Sequence, residues 1–390
     1  MSENMPVSPI NEIEILRERV FELRERVEDN EETLVEKDML IRDYWTRIQR
    51  MRLSSRLKLM LNPFQRTEAT RNKEKANWQS TLNRIFSSRT LSFTIKMACD
   101  NWHVAPYWGD YHFAVSLRKA LMRLGCRVRI ETFNEWWNGL SDKSDVVLVL
   151  RGLRKYRPKS GQVNLLWNIS HPAKVFLSEY KSYDHVFVAS ESLADKLKMD
   201  LASKVTTLLQ CTDESTFYRT TDVVRNRLLF VGNSKGIRRQ IIDDVLPTSH
   251  ELAVYGLEWD GLLEPQYWKG KYIPNEDLRK YYSGAGIVLC DHWEDMRRAG
   301  IISNRVFDAL ACGSIVVTDD VERITSIFPD CVFVYRSKDE LKRIIDNILI
   351  QKDDKSDARI LISRKILADH TFRMRAVEIV KVAKALIKNP

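Results

Sequence analysis

Apolar and polar positions along this chain change period near residue 90, and the change divides it. From Ile13 to Met51 the positions Ile13, Leu16, Val20, Leu23, Val27, Asn30, Leu34, Lys37, Ile41, Tyr44, Ile48 and Met51 recur with alternating gaps of three and four. That is an a/d heptad series running for more than five heptads. Ile and Val dominate a, and the first d positions are Leu, a combination that favours a parallel two-stranded coil. Asn30 and Lys37 at d weaken its middle and can set register. The alternative is one long amphipathic helix packed on its own domain. Residues 53–64 alternate apolar side chains with Arg56 and Lys58 before Pro63, which suits a membrane-surface segment or the frayed end of the coil. Residues 65–88 read as a polar, basic connector with helical stretches.

From residue 91 onward short apolar runs take over. Residues 91–98, 127–131, 145–150, 163–168, 185–189 and 204–209 read as strands, with helices such as 111–124 and 190–201 between them. Strands alternating with helices predict a parallel, doubly wound sheet. The polar stretch 212–225 reads as a link. A second series follows at 227–231, 251–255, around Tyr272, 286–290, 315–318 and 332–335, with helices over 339–351 and two more over 360–387, parted at His370. The expected fold is α/β, with two Rossmann-like domains and an N-terminal coiled-coil helix. The boundaries are a coil at 1–62, a basic connector at 63–90, a first domain at 91–213, a second at 222–352 and C-terminal helices at 353–390.

Composition changes this picture little. A chain of 390 residues, 44% hydrophobic, is long enough for two cores. The net charge of +9 is unevenly spread: 11–38 is rich in Glu, whereas 41–75 carries Arg42, Arg47, Arg50, Arg52, Arg56, Lys58, Arg66, Arg71, Lys73 and Lys75. Such a tract suits nucleic acid, anionic lipid or a phosphorylated acceptor, or is simply solvated. The six cysteines are scattered without CxxC pairs, which fits small buried residues in a reducing compartment and neither a disulfide frame nor a zinc site. The polar, acidic start lacks a secretory pattern, and no apolar run reaches membrane-spanning length. The expectation is a cytoplasmic protein, with peripheral contact to the inner membrane face as an option.

The richest stretch is Gly300 to Gly313, GIISNRVFDALACG. A strand at 286–290 and a loop at 291–299 precede it, and a buried strand at 315–318 follows. Val306, Ala309 and Leu310 make one apolar helical face, while Asn304, Arg305 and Asp308 lie opposite or near the start. Gly313 ends the helix. Polar groups at such a helix mouth lie beyond the carboxyl ends of the strands, where open parallel sheets bind ligands. An ordinary crossover helix capped by Ser303-Asn304 is the plain alternative. Gly232, Asn233, Ser234, Lys235, Arg238 and Arg239 follow the strand at 227–231 and read as the opening of a helix. Glycine permits close approach and a helix N-terminus attracts phosphate, although a solvated basic helix has the same pattern. The order of a Walker loop is absent. In Trp108-Gly109-Asp110-Tyr111-His112, Asp110 or His112 is suited to take a proton, or Asp110 is a helix cap. Trp167 to Pro172 ends another strand and contains His171.

SNRVFDALACG followed by a buried strand resembles the nucleotide-sugar segment of GT-B glycosyltransferases, in particular the CgeB-like branch, related to the large retaining group 1 type. The resemblance covers roughly residues 91–375 and not the coil. It implies that Asp308 binds the donor ribose, that Lys235, Arg238 and Arg239 hold the diphosphate, and that Asn304 and Arg305 position a phosphate or the sugar. It sets Asp110 and His171 on the acceptor side, His171 resembling a histidine that touches the donor sugar. Residues 255–259 and 271–274, including Ile273, would frame the base. One position departs: Gly300 stands where many retaining relatives carry a second Glu eight residues before the ribose-binding acid. Backbone amides at 300–302 would then meet sugar or phosphate. Retention is favoured, but the departure leaves stereochemistry open. No Asp-x-Asp pair stands in a suitable loop and Lys or Arg can serve at a diphosphate, so neither metal nor cofactor is expected beyond the nucleotide-diphosphate-sugar substrate. The implied activity is transfer of a sugar to a glycan or lipid-linked glycan hydroxyl, in bacterial surface polysaccharide synthesis. A nucleotide-sugar epimerase of the same shape and a silent scaffold acting through the coil are the alternatives. Homo-oligomerisation through the coil is expected, and nucleic acid is not an expected partner.

Overall fold

The computed structural model describes residues 90–329, 331–350 and 356–388. The heptad series, the 53–64 segment and the basic connector up to residue 89 lie outside the described residues.

The front lobe is built on six parallel strands: β1 (Ser92–Lys96), β2 (Arg127–Glu131), β3 (Val146–Arg151), β4 (Val163–Asn168), β5 (His185–Val188) and β6 (Val205–Thr207). Their order is β2-β1-β3-β4-β5-β6. Every residue of β3 is buried, which is why its sequence is one apolar run and not an alternation. Helices α1 (Gly109–Arg123), α2 (Leu177–Lys181) and α3 (Glu191–Leu201) cross between strands.

The rear lobe holds β7 (Asn226–Val231), α4 (Gln240–Val245), β8 (Leu252–Tyr255), β9 (Trp268–Gly270), α5 (Leu278–Gly284), β10 (Ala285–Cys290), α6 (Glu294–Ala299), α7 (Asn304–Ala311), β11 (Val316–Asp319), α8 (Ile324–Ile327), β12 (Val332–Tyr335) and α9 (Lys338–Ile350). Its sheet, also parallel, runs β12-β11-β10-β7-β8-β9. The strand order reverses direction between β1 and β3 in front and between β7 and β10 behind. At such switch points neighbouring crossovers leave on opposite faces, which opens a crevice.

Helices α10 (Ser356–Asp369) and α11 (Phe372–Lys388) close the chain. α11 returns to the front lobe, where Phe372 meets Phe113 of α1 edge to face at 4.7 Å. The predicted link at 212 is ordered. Thr212 pairs with Thr371, donating its amide to His370 O at 3.0 Å and accepting from Phe372 N at 3.1 Å. His370, the predicted break between the last two helices, packs against both Phe307 and Phe328, whose rings also touch each other.

Three expectations need correction. The strand expected around Tyr272 lies earlier, at β9, and Tyr272 itself is 43% exposed. The expected loop at 291–299 contains α6, because Glu294 pairs with Arg297 and Arg298 at helical spacing and Gly300 supplies the left-handed cap at φ 71°. The amides of Gly300 and Ile301 therefore end that helix, donating to Arg297 O and Met296 O, and do not point free at a ligand. Finally, Gly232 to Arg239 does not open a helix. Lys235 and Gly236 turn at φ 61° and 75°, and α4 starts only at Gln240.

Candidate active site

A cavity of about 380 Å³ lies between the lobes, bounded by the carboxyl ends of both sheets. Its front wall is Tyr107, Trp108 and Asp110 after β1, with Ser170 and His171 after β4. Its rear wall is Gly232, Asn233 and Lys235 after β7, Asp291 to Trp293 after β10, and the first turn of α7.

Helix α7 forms where its sequence dictates. The Ser303 hydroxyl accepts from Arg305 N as the N-cap, Val306, Ala309 and Leu310 are buried, and Gly313 closes the end at φ 73°. This presents Asp308 to the cavity. Thr212 Oγ1 donates to its Oδ1 at 2.7 Å and Asn304 Nδ2 to its Oδ2 at 3.2 Å. Burial raises the Asp308 carboxyl well above the usual range, and those two hydrogen bonds pull the other way.

Arg305 reaches across the rear switch point. It donates to Val231 O at 3.0 Å on one side and to Asp291 O at 2.7 Å on the other. Gly232 makes room for it: a Cβ there would lie 2.8 Å from Arg305 Nη1.

The three cations assigned to the diphosphate go to three different places. Lys235 lines the cavity, with its ammonium 5.1 Å from the Trp108 ring centroid of the opposite lobe. Arg238 points outward and pairs with Asp243 at 2.5 Å. Arg239 is buried in a bidentate pair with Asp291, at 2.7 and 2.6 Å, and stacks over Trp293 at 4.4 Å. Ser234 is buried, its hydroxyl donating to Glu258 O and accepting from Gly236 N, so it shapes the turn. Asn233 accepts from Leu257 N and keeps one edge on the cavity.

On the front wall Asp110 is the second residue of α1, and Trp108 occupies the N-cap position, so Asp110 is not the cap. Burial raises its carboxyl to about 6, against the pull of Lys235. His112 is bonded to Pro106 O at 2.9 Å. His171 adopts a left-handed backbone, φ 49° and ψ 52°. Its Nδ1 stands 3.6 Å from Asp295 of α6, across the lobes, and burial lowers its proton affinity. The buried Arg151–Glu179 pair holds this loop, with Arg151 Nη2 donating to Lys174 O at 2.7 Å. Ile273 is buried against the cavity. Among the described residues no three of His, Cys, Asp and Glu converge as metal ligands.

Sequence reading missed Gln210, Thr212, Asp291, His292 and Asp319. Gln210 donates to Ile169 O at 2.6 Å and accepts from Asn304 N at 3.0 Å, tying the front lobe to α7. Its only sequence signal was its position just after a predicted strand.

Residues 238–381 match the family described as glycosyl transferase-like. Comparison with curated protein sequences gives no match. Solved structures with the same fold include sucrose-phosphate synthase from Thermosynechococcus elongatus, at 14% identity and TM-score 0.57, covering 77% of this chain and 100% of that one. Another is AviGT4, a glycosyltransferase involved in avilamycin A biosynthesis, at 13% identity and TM-score 0.54, covering 77% of this chain and 99% of that one. An α-glucosyltransferase solved with UDP-glucose and DNA containing an abasic site gives 11% identity and TM-score 0.52, covering 75% and 100%. The fold is therefore GT-B, and the resemblance to the group 1 type of glycosyltransferase stands, with the family match on the rear lobe and the C-terminal helices.

Proposed function

We propose that this chain is a glycosyltransferase that moves a sugar from a nucleotide-diphosphate donor to an acceptor hydroxyl, a glycan hydroxyl being the class we favour. The observation that carries the reading is the meeting in one crevice of a buried acid on α7, Asp308, with a lysine that makes no ion pair among the described residues, Lys235, and a carboxyl of raised proton affinity, Asp110. In this reading Asp308 takes the ribose hydroxyls and Lys235 faces the diphosphate. The bond between the anomeric carbon and the diphosphate oxygen breaks, and the leaving group departs with the electron pair into the field of Lys235. The acceptor oxygen bonds to the anomeric carbon, and its proton passes to Asp110. His171 borders the sugar, Ile273 supports the base, and retention is the favoured outcome. No metal is required in this scheme. UDP-glucose, named with one structure of this fold, is the first donor to try. The heptad series would make the enzyme a homo-oligomer, and the basic tract after it would bring it to the inner membrane face. Deleting residues 1–60 should then lower the solution mass to that of a monomer.

The test is a thermal-shift panel with UDP, GDP, dTDP and CDP, followed by assays of donor hydrolysis and transfer. One diphosphate should raise the melting temperature by mass action. Finding no shift with any of them, or an unchanged shift in Asp308→Ala, rules the reading out.

A further inference from the structure

His292, with its ring buried, and the half-buried Asp319 form a pair that the proposed chemistry does not use. The His292 ring is fully buried directly after β10. Its Nδ1 lies 2.6 Å from Asp319 Oδ1 at the end of β11, and its backbone amide donates to Asp319 Oδ2 at 3.0 Å. Thr318 Oγ1 adds a third bond to the same carboxylate at 2.9 Å. On the far side of the ring, Ser303 N donates to Nε2 at 3.0 Å. An amide N–H needs a lone pair to meet it, so Nε2 carries no proton and Nδ1–H donates to Asp319. The ring is neutral and held in one tautomer.

Ser303 is the cap of α7, and the next amide, Asn304 N, is taken by Gln210. Two successive amides at the entry to this helix thus end on two side-chain acceptors, one from each lobe. Asn304 lies one turn before Asp308 and donates to it, so the entry angle of the helix sets the position of the acid.

We propose that His292, oriented by Asp319, is a positioning residue for the donor: it fixes the start of α7 and so places Asn304, Arg305 and Asp308 against the nucleotide. The role rests on the donor reading given above. It operates through the lone pair of Nε2 and not through contact with the reacting atoms.

The experiment uses the full chain in two arms. In the first, histidines labelled with ¹⁵N report ring tautomers without any ligand, His292 being assigned by its loss in His292→Gln or His292→Leu. The expected result is a neutral Nδ1–H ring at pH 7. An imidazolium or an Nε2–H ring overturns the proposal. In the second, binding of UDP, GDP, dTDP and CDP is measured by calorimetry. His292→Gln retains one acceptor and one donor and should hold the affinity within about threefold, whereas His292→Leu leaves the Ser303 amide without a partner and should weaken it about tenfold. Asp319→Asn offers one acceptor where two N–H groups arrive and should also weaken binding about tenfold. Equal losses in Gln and Leu, or full affinity in Asp319→Asn, overturn the role. A wild type that binds no diphosphate overturns the donor reading, and the positioning role with it, while the tautomer arm still reports on the dyad. The two failures are therefore told apart.

Discussion

Thr212 donates to Asp308 at 2.7 Å, tying the segment that joins the lobes to the one buried acid on α7. Thr212 is itself pinned by Thr371, so the acid is held from the crossover between the lobes and not only from its own helix. Thr212→Val keeps the shape and removes the donor. A buried carboxyl that loses a hydrogen bond costs about 1–3 kcal/mol in whichever state needs it charged. Nucleotide affinity in Thr212→Val should fall about tenfold by calorimetry, and Asp308→Ala should abolish measurable binding.

Lys235, Arg238 and Arg239 should separate cleanly. Lys235→Ala removes a cavity-lining cation that makes no ion pair among the described residues, weakening diphosphate binding about tenfold and reducing its salt dependence. Arg238→Ala touches only an exposed pair with Asp243 and should change neither affinity nor melting temperature measurably. Arg239→Ala leaves Asp291 buried with a single partner, Arg305, and should cost about 3–5 kcal/mol of stability by denaturant titration.

As the proposed base, Asp110 sets opposite signs for activity and stability. A base must be unprotonated, so kcat/KM for the acceptor should fall as pH drops through about 6. The folded protein holds this proton more tightly than the unfolded chain, whose carboxyl sits near 3.8. Stability from this group is therefore present below that value and is lost as pH rises toward about 6. Asp110→Asn should flatten both profiles. Paired rate and denaturation series over pH 4 to 8 check it.

Gly256 adopts φ 148°, and a Cβ there would lie 2.1 Å from Gly232 O. The strand ends of β7 and β8 meet at this point, with Gly232 N donating to Tyr255 O. Gly256→Ala should destabilise the rear lobe by about 3 kcal/mol and displace the turn that carries Lys235. Differential scanning calorimetry reads the first effect and diphosphate affinity the second.

Much of the fold was legible because its signals are local. β3 and β10 are apolar runs because both faces are covered, and α7 announced itself by a Ser cap, an apolar face and a terminal Gly. The errors have local causes too. α6 is only six residues long, and its sequence, EDMRRA, is charged enough to pass for a loop. β9 has three residues and a bulge, too short for any period to show.

The sequence by itself determined two alternating α/β segments, the helix that carries Asn304, Arg305 and Asp308, and the presence of basic residues after β7. Periodicity, caps and glycines act over a few residues, so they can be read along the chain. Only the tertiary structure decided that Lys235 and Arg239 line the crevice, that Arg238 does not, and that Arg239 is tied to Asp291 there. A run of cations says nothing about which one meets a buried Asp291 from 52 residues away. It also decided that His292, Asp319, Gln210 and Thr212 converge on one helix, because hydrogen bonds between distant strand ends depend on strand order, and strand order is set by how the whole sheet packs.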